Sequence, residues 1–130
     1  TVKSILVIEP YEDVASVLAL ALGMEGYQVT PVESLQEAFK LLSTRSFDLI
    51  ITEAFDQRAL FEFHPAFLDD LKMAAANTPI ILCSTYPSVD YLRAHDYGLA
   101  AILPKPFDID DLTRKVGRVF EKAGTNSLNG

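Results

Sequence analysis

The stretch Phe47-Asp48-Leu49-Ile50-Ile51-Thr52-Glu53 decides the fold, because it is a short apolar run that ends abruptly in a carboxylate. A run of this kind is typical of a buried parallel strand that delivers a charge to one edge of a sheet. The sequence therefore predicts a central strand that ends at Glu53.

Three other short apolar runs also end in a polar or charged side chain. The runs and the residues at their ends are 5–8 with Glu9, 80–83 with Ser84, and 101–104 with Lys105. The carboxyl ends of parallel strands meet at one edge of an open α/β sheet, where ligands usually bind. We therefore expect these three side chains to share one crevice with Glu53.

Segments with helical periodicity separate these runs. Helices are predicted over residues 13–25, 65–76 and 88–97, from a capping box at residues 34–37 onwards, and from residue 108 onwards. Residues 27–30 add an edge-like strand that ends at Pro31, and residues 54–64 form a loop. The alternation of strands and helices predicts an α/β fold with a parallel sheet and right-handed crossovers.

The first predicted helix has Asp13 in position to cap it and Gly26 in position to end it. Its apolar residues recur at helical spacing. They are Val14, Val17, Leu18, Ala21 and Leu22.

The composition indicates one soluble domain. The 130 residues are 49% hydrophobic, and we expect a domain over residues 1–123 followed by a tail or linker over 124–130. No apolar run reaches the ~20 residues of a membrane helix, and no basic-then-apolar leader is recognised. With a net charge of −7 and 11 scattered Lys and Arg, direct nucleic-acid binding is not expected. The single Cys83 excludes an intrachain disulfide, and we expect a cytoplasmic protein.

Three motifs connect the chain with a known family. Residues 48–51 lead to an acid at a strand end, residues 79–81 lead to Ser84, and Leu103-Pro104-Lys105-Pro106-Phe107-Asp108 matches a Lys-Pro-Phe signature. With five βα units, the chain resembles the receiver domain of two-component response regulators over nearly its whole length. The resemblance implies a flavodoxin-like (βα)5 fold, in which a doubly wound five-stranded parallel sheet of order 2-1-3-4-5 forms the middle of three α/β/α layers. It also implies a cis peptide between Lys105 and Pro106.

The resemblance also implies a chemistry. Receiver domains take a phosphoryl group from a histidine kinase onto an aspartate, with Mg²⁺ held by neighbouring acids. The carboxylate attacks phosphorus, the metal and a lysine neutralise the phosphoryl oxygens, and a hydroxyl binds the product. By resemblance, Glu53 has the phospho-acceptor position, Ser84 the hydroxyl position and Lys105 the lysine position.

Several positions depart from the family pattern. Glu53 replaces aspartate and places its carboxylate one methylene farther out, whereas a misplacement of about 1 Å can cost ~10²-fold in rate. Pro10 replaces the second metal-binding acid, so Glu9 and Glu53 are expected to hold Mg²⁺ weakly or not at all. Ile102 replaces an aromatic switch residue. Asp56 lies three residues past the strand end and is a poor substitute acceptor.

We interpret the chain as an atypical receiver-like module of phosphorelay signalling that acts by protein association and is not an enzyme, although residual autophosphorylation is left open. The expected partners are a histidine kinase, an output domain, or a second copy bound through the face of the fourth and fifth predicted helices and the fifth strand. The alternative is an active receiver that accepts a phosphoryl group with Mg²⁺. Glu53 is either a relic salt bridge to Lys105 or a fixed mimic of the phosphorylated state.

The sequence also bears on enzyme activity and on a possible binding surface. A flavodoxin-like enzyme or nucleotide binder is disfavoured, because no glycine-rich phosphate loop follows any predicted strand. A group of apolar side chains after the central strand either folds over the third helix or forms a partner-binding patch. Its members are Phe55, Leu60, Phe61, Phe63 and Phe67.

Overall fold

The computed structural model describes residues 1–55, 66–84 and 93–129. Within these ranges the strands are β1 (Ser4–Ile8), β2 (Gln28–Val32), β3 (Leu49–Thr52), β4 (Ile80–Ser84) and β5 (Ala101–Pro104). The α-helices are α1 (Glu12–Met24), α2 (Leu35–Leu42), α3 (Ala66–Ala75) and α4 (Ile109–Asn129), and a short 3-10 helix spans Ala94–Tyr97. Among these helices, none combines the length and apolar character that a membrane crossing requires.

The strands form one parallel sheet in the order β2-β1-β3-β4-β5, which confirms the predicted flavodoxin-like fold. The register decides where the strands end. Ile8 pairs with Thr52, so the next residues, Glu9 and Glu53, leave the sheet side by side. Strands β4 and β5 are also aligned at their carboxyl ends, because Ser84 pairs with Pro104.

The core consists of two apolar layers, one on each face of the sheet. Side chains of successive strand residues alternate between the faces, so each strand contributes to both layers. The layer that contains α2 and α3 residues includes Leu6, Ile8, Ile50, Leu82, Ala38 and Leu71. The layer that contains α1 and α4 residues includes Ile5, Val7, Ile51, Cys83, Leu22 and Leu112. Burial on both faces explains the unbroken apolar runs from which the strands were predicted.

The predicted capping box at the start of α2 is present. The Ser34 hydroxyl accepts a hydrogen bond from the Glu37 N–H at 3.2 Å. The Glu37 carboxylate in turn accepts from the Glu33 N–H at 3.0 Å, one residue before the cap. These bonds satisfy backbone donors at the start of the helix and fix its first turn.

Two details near the start of the chain correct the sequence-based predictions. Helix α1 begins at Glu12 with Tyr11 at the N-cap position, so Asp13 lies inside the first turn and does not cap the helix. There the acidic side chain still complements the positive end of the helix dipole. Strand β2 continues through Pro31, which an edge strand tolerates because one side of its backbone pairs with no neighbour.

The structure confirms one further prediction and covers several others only in part. The Lys105–Pro106 peptide is cis, as predicted. Only the end of the predicted 88–97 helix is described, and it is the 3-10 helix that stops at Gly98 with a φ of 65°. Asp56 and most of the predicted 54–64 loop lie outside the described residues. Helix α4 continues to Asn129, and the domain boundary at residue 123 stays a prediction.

Helix α3 offers a matched test of the core. Replacing the fully buried Leu71 with Ala should lower the free energy of unfolding by about 2–5 kcal/mol, because it leaves a cavity beneath the sheet. Met73, on the same helix, is 84% exposed, and Met73→Ala should change stability by less than about 0.5 kcal/mol. Urea unfolding followed by circular dichroism measures both. Equal losses of stability in the two variants would contradict the orientation of α3, in which Leu71 faces the core and Met73 faces solvent.

Candidate functional site

The four predicted site residues lie at the carboxyl ends of four strands. Glu9 follows β1, Glu53 follows β3, Ser84 ends β4 and Lys105 follows β5. The Glu53 N–H donates to the Ile8 carbonyl at 2.9 Å, and the Lys105 N–H donates to the Ser84 carbonyl at 2.9 Å. The backbone therefore fixes the point at which each side chain leaves the sheet.

The side chain of Lys105 joins the two glutamates. Its Nζ donates to Glu53 Oε2 at 2.7 Å and also to Glu9 Oε1. The predicted Glu53–Lys105 contact is thus present, whereas sequence reasoning missed the contact with Glu9. In the sequence, only the predicted alignment of the strand ends indicated that Lys105 and Glu9 lie close together. Spacing along the chain does not tell how far a long lysine side chain reaches.

The other oxygen of each carboxylate accepts a hydrogen bond from a nearby backbone N–H. Glu9 Oε2 accepts from Tyr11 at 3.1 Å, and Glu53 Oε1 accepts from Ala54 at 2.6 Å. Each of the four carboxylate oxygens therefore has an N–H donor, two from the ammonium and two from the backbone. Both side chains are held with their remaining oxygens directed at Lys105.

All three charged groups are shielded from solvent. The exposed fractions of the side chains are 2% for Glu9, 9% for Glu53 and 6% for Lys105. Burial alone would lower the pKa of Lys105, but hydrogen bonds to Glu53 and Glu9, together with their negative charges, outweigh burial and raise the pKa. Lys105 is therefore a firmly protonated cation between two carboxylates.

The carboxylate oxygens of this site can be compared with the ligands that a magnesium ion requires. Mg²⁺ requires near-octahedral oxygen ligands at about 2.0–2.1 Å. The next residue after Glu9 is Pro10, which has no oxygen in its side chain, and the described residues contain no group of three or more His, Cys, Asp or Glu that could hold a metal ion. The two carboxylates that remain face an ammonium. As arranged, the residues do not fit Mg²⁺.

Cys83 and Ser84 are the last two residues of β4, and the charges of Lys105, Glu53 and Glu9 act on the Cys83 thiol. Both side chains are buried, each 1% exposed. Burial is the main cause that raises the pKa of the Cys83 thiol to about 12. A thiol with this pKa stays protonated at neutral pH, so Cys83 is not positioned as a nucleophile.

The described residues also place the switch position and part of the aromatic group. Ile102 is half-buried against the layer that contains α2 and α3 residues, and its carbonyl accepts from Lys115 Nζ at 2.6 Å. Phe55 packs edge-on against Phe67 with 5.9 Å between ring centroids, and Phe67 is buried. The rest of the aromatic group, residues 60–63, lies outside the described residues.

Known proteins resemble this chain in sequence and in fold. The family model described as the response regulator receiver domain matches residues 5–117. The DNA-binding transcriptional regulator NtrC of Bradyrhizobium sp. (strain RP501 Parasponia) is 31% identical over 120 residues, which are 90% of this chain and 24% of that protein. The transcriptional regulatory protein YkoG of Bacillus subtilis (strain 168) is 27% identical over 129 residues, 95% of this chain and 53% of that protein.

A solved structure shows the same fold. The signal receiver domain of an HD domain-containing protein from Pseudomonas fluorescens Pf-5 superposes with a TM-score of 0.80 at 20% identity, and the match covers 96% of this chain and 99% of the other. The curated relatives are longer, and the chain spans about a quarter to a half of their length.

The charged site makes a pH-dependent contribution to stability. Replacing Lys105 with Met should cost about 3–5 kcal/mol at pH 7, because two buried carboxylates lose their shared cation. Since the pKa of Lys105 is raised on folding, its contribution is fully present below the ordinary lysine pKa of about 10.4 and is lost as pH rises through the folded value.

The measurement compares urea unfolding of wild type and Lys105→Met between neutral and strongly alkaline pH. The difference in unfolding free energy should stay constant up to about pH 10 and shrink above it. Lys122 is exposed on α4, and Lys122→Met should shift stability by less than about 0.5 kcal/mol at every pH. A Lys105→Met penalty that does not shrink in alkali would contradict the role of the ammonium.

Proposed function

Because the chain belongs to the response regulator receiver domain family of two-component systems, we propose that it is a signalling module that binds other proteins without being phosphorylated. In this proposal Glu53 is a fixed negative charge at the position where other receivers carry an aspartate. The module is not an enzyme, and it uses no metal cofactor. Its partners belong to the classes that family membership implies, a histidine kinase or an output domain.

One observation carries this proposal, namely that both oxygens of Glu53 are engaged. Oε2 is held by the Lys105 ammonium and Oε1 by the Ala54 N–H. A carboxylate that attacks phosphorus must present a free oxygen in line with the leaving group, with the phosphoryl charge neutralised by cations. Here the cation that would neutralise the phosphoryl oxygens already neutralises Glu53 and Glu9.

In this proposal Glu53 is a fixed charge and not an inert relic, and its salt bridge to Lys105 is common to both roles. A permanent carboxylate can bias a two-state protein only by interacting differently with the two states. Glu53 holds the side chain of Lys105 over the carboxyl ends of β1 and β3. The charge therefore favours one arrangement of the strand ends that lead into α1 and α4.

Phosphorylation provides the direct test. Wild type incubated with acetyl phosphate and Mg²⁺ should show no phosphoryl adduct by intact-mass spectrometry, because Glu53 is engaged and Mg²⁺ has no fitting ligands. The triple variant Glu9→Asp, Pro10→Asp, Glu53→Asp should gain an adduct, since it restores the acceptor and the second metal-binding acid and shortens by one methylene the two side chains that hold the Lys105 ammonium. An adduct on wild type that disappears in Glu53→Gln would overturn the proposal in favour of an active receiver.

The exposed apolar side chains support association with proteins. Within the described residues, the large exposed hydrophobics include Val17, Leu20 and Met24, which lie on one face of α1 at spacings of three and four residues. Val17 belongs to the apolar residues at helical spacing from which this helix was predicted, and it is 47% exposed. A groove of about 410 Å³ joins Val17 to Ile109 at the start of α4. We call Val17, Leu20, Met24 and Ile109 the α1 surface.

The charges around the α1 surface indicate the chemistry of its partner. The charged residues of α1 and those nearest to Met24 and Ile109 along the chain are acidic. They are Glu12, Asp13, Glu25, Asp108, Asp110 and Asp111. Lys105 also lines the groove, but its side chain is only 6% exposed and its charge is held by Glu9 and Glu53. An apolar face with an acidic rim suits a partner helix whose apolar stripe is flanked by Lys or Arg.

The face proposed for a second copy is described only in part. Residues 85–92 lie outside the described residues, and the self-association through that face stays a prediction. Its described part is basic, because Lys115, Arg118 and Lys122 line a groove of about 240 Å³ beside β5. An acidic partner suits this part better than an identical basic surface.

The α1 surface is tested with a designed probe. A helical peptide with a leucine stripe flanked by Arg should bind, and its binding should weaken with salt; the same peptide flanked by Glu should bind at least about tenfold more weakly. Leu20→Glu should abolish binding of the Arg peptide, whereas Met73→Glu on α3 should leave it unchanged, although both residues are highly exposed. Fluorescence anisotropy measures all four affinities. Equal binding of the two peptides would contradict the acidic-rim argument.

A further inference from the structure

We propose that the Lys105 ammonium is the permanent cation of the Glu9–Glu53 pair, so that it excludes a divalent metal ion from this site, and that its removal opens one. The inference deepens the proposed function and rests on it, because it concerns how the same site is kept in one state. It follows from the geometry of three side chains and the backbone around them.

The ammonium lies between the two carboxylates. A single nitrogen reaches both Glu9 Oε1 and Glu53 Oε2, so these two oxygens converge on one point. The opposite oxygens are held by the N–H groups of Tyr11 and Ala54, which prevents either carboxylate from turning away. The convergence point is therefore a preformed cation position, and Lys105 occupies it.

A divalent ion could enter only by displacing the ammonium. The ammonium and a metal ion within a few ångströms would repel each other strongly in a shielded site. The Lys105 side chain is 6% exposed, so the displaced charge would have to leave a buried position. It would also leave the ring of Tyr11, whose centroid lies 6.0 Å from Nζ. The ammonium is thus held by three partners at once.

Exclusion does not come from a blocked path. A groove of about 420 Å³ opens beside Glu9 and is lined by Glu12, Glu33 and Glu37 as well as by small side chains of α1. Clefts lined by one sign of charge raise the local concentration of the opposite ion. Cations are therefore attracted to the side of Glu9 that lines the groove, where the ammonium of Lys105 already holds Oε1 and the Tyr11 N–H holds Oε2.

Without the ammonium the pair has the chemistry of a weak divalent site. Magnesium-type ions keep several waters and are commonly held by one or two carboxylates. Glu9 Oε1 and Glu53 Oε2 would supply two such ligands without a change in their direction. Two carboxylates also carry one more net negative charge than the triad with Lys105.

The experiment measures Mn²⁺ binding by electron paramagnetic resonance and thermal stability with Mn²⁺, Mg²⁺ or a chelator. Wild type should show the same Tm in all three solutions. Lys105→Met should bind Mn²⁺ at least about tenfold more tightly than wild type, and Mn²⁺ should raise its Tm. Lys105→Met combined with Glu9→Gln should lose this gain, and Lys122→Met should behave as wild type.

A second variant covers the case in which Lys105→Met does not fold without metal. Lys105→Gln keeps hydrogen-bond donors at the position but removes the charge, and it should also gain Mn²⁺ affinity. Recovery of native circular dichroism by either variant only with Mn²⁺ present would likewise support the inference. A folded Lys105→Gln that binds no more tightly than wild type, or failure of both variants to refold with Mn²⁺, would overturn it.

Failure of this inference and failure of the proposed function give different results. Wild type that binds Mn²⁺ as tightly as Lys105→Met shows that the ammonium excludes nothing, and it leaves protein association by an unphosphorylated module intact. A phosphoryl adduct on wild-type Glu53 refutes the proposed function, whatever the affinity for Mn²⁺.

Discussion

The contact of one ammonium with two buried carboxylates is the interaction on which the site depends. Removing water from three charged groups is costly, and the cost is offset only when every charge is paired and every remaining oxygen has a donor. Lys105, Glu9 and Glu53 meet this condition, because two backbone N–H groups complete what the ammonium leaves unsatisfied. The arrangement is therefore stable as a unit and unfavourable when any one member is removed.

The sheet makes this pairing geometrically possible. The three residues belong to three different strand ends, and Lys105 is separated from Glu9 by 96 positions in the chain. A shift of β3 against β1 by one residue would turn Glu53 to the opposite face, because side chains alternate along a strand. The apolar layers on both faces prevent that shift, since it would move buried side chains such as Ile50 and Ile51 into the wrong layer. Packing of the core therefore fixes the positions of the charged side chains at the carboxyl ends of the strands.

Sequence patterns predicted the parts of this structure that depend on periodicity and on chain order. The strands, the cis peptide and the positions of Glu9, Glu53, Ser84 and Lys105 at strand ends follow from apolar runs and from the resemblance. Details that depend on competition between neighbours were not predictable. Asp13 and Glu12 are both plausible at a helix start, and the chain places Tyr11 at the cap instead. Val17 has helical spacing but faces outward, because a periodic stripe wider than the sheet contact leaves some of its members exposed.

The location of the α1 surface bears on how such a module is regulated. Only Pro10 and Tyr11 separate Glu9 from α1, and the Tyr11 N–H is bonded to Glu9 itself. A change of state at the carboxylates would therefore pull on the first turn of the helix that presents Leu20 and Met24. In our proposal the ammonium holds the carboxylates in one state, so the helix receives no such signal and its apolar face is presented constantly. Control of binding must then come from the abundance of the chain or from its partner, because a surface tied to a site with one stable arrangement cannot be switched from within.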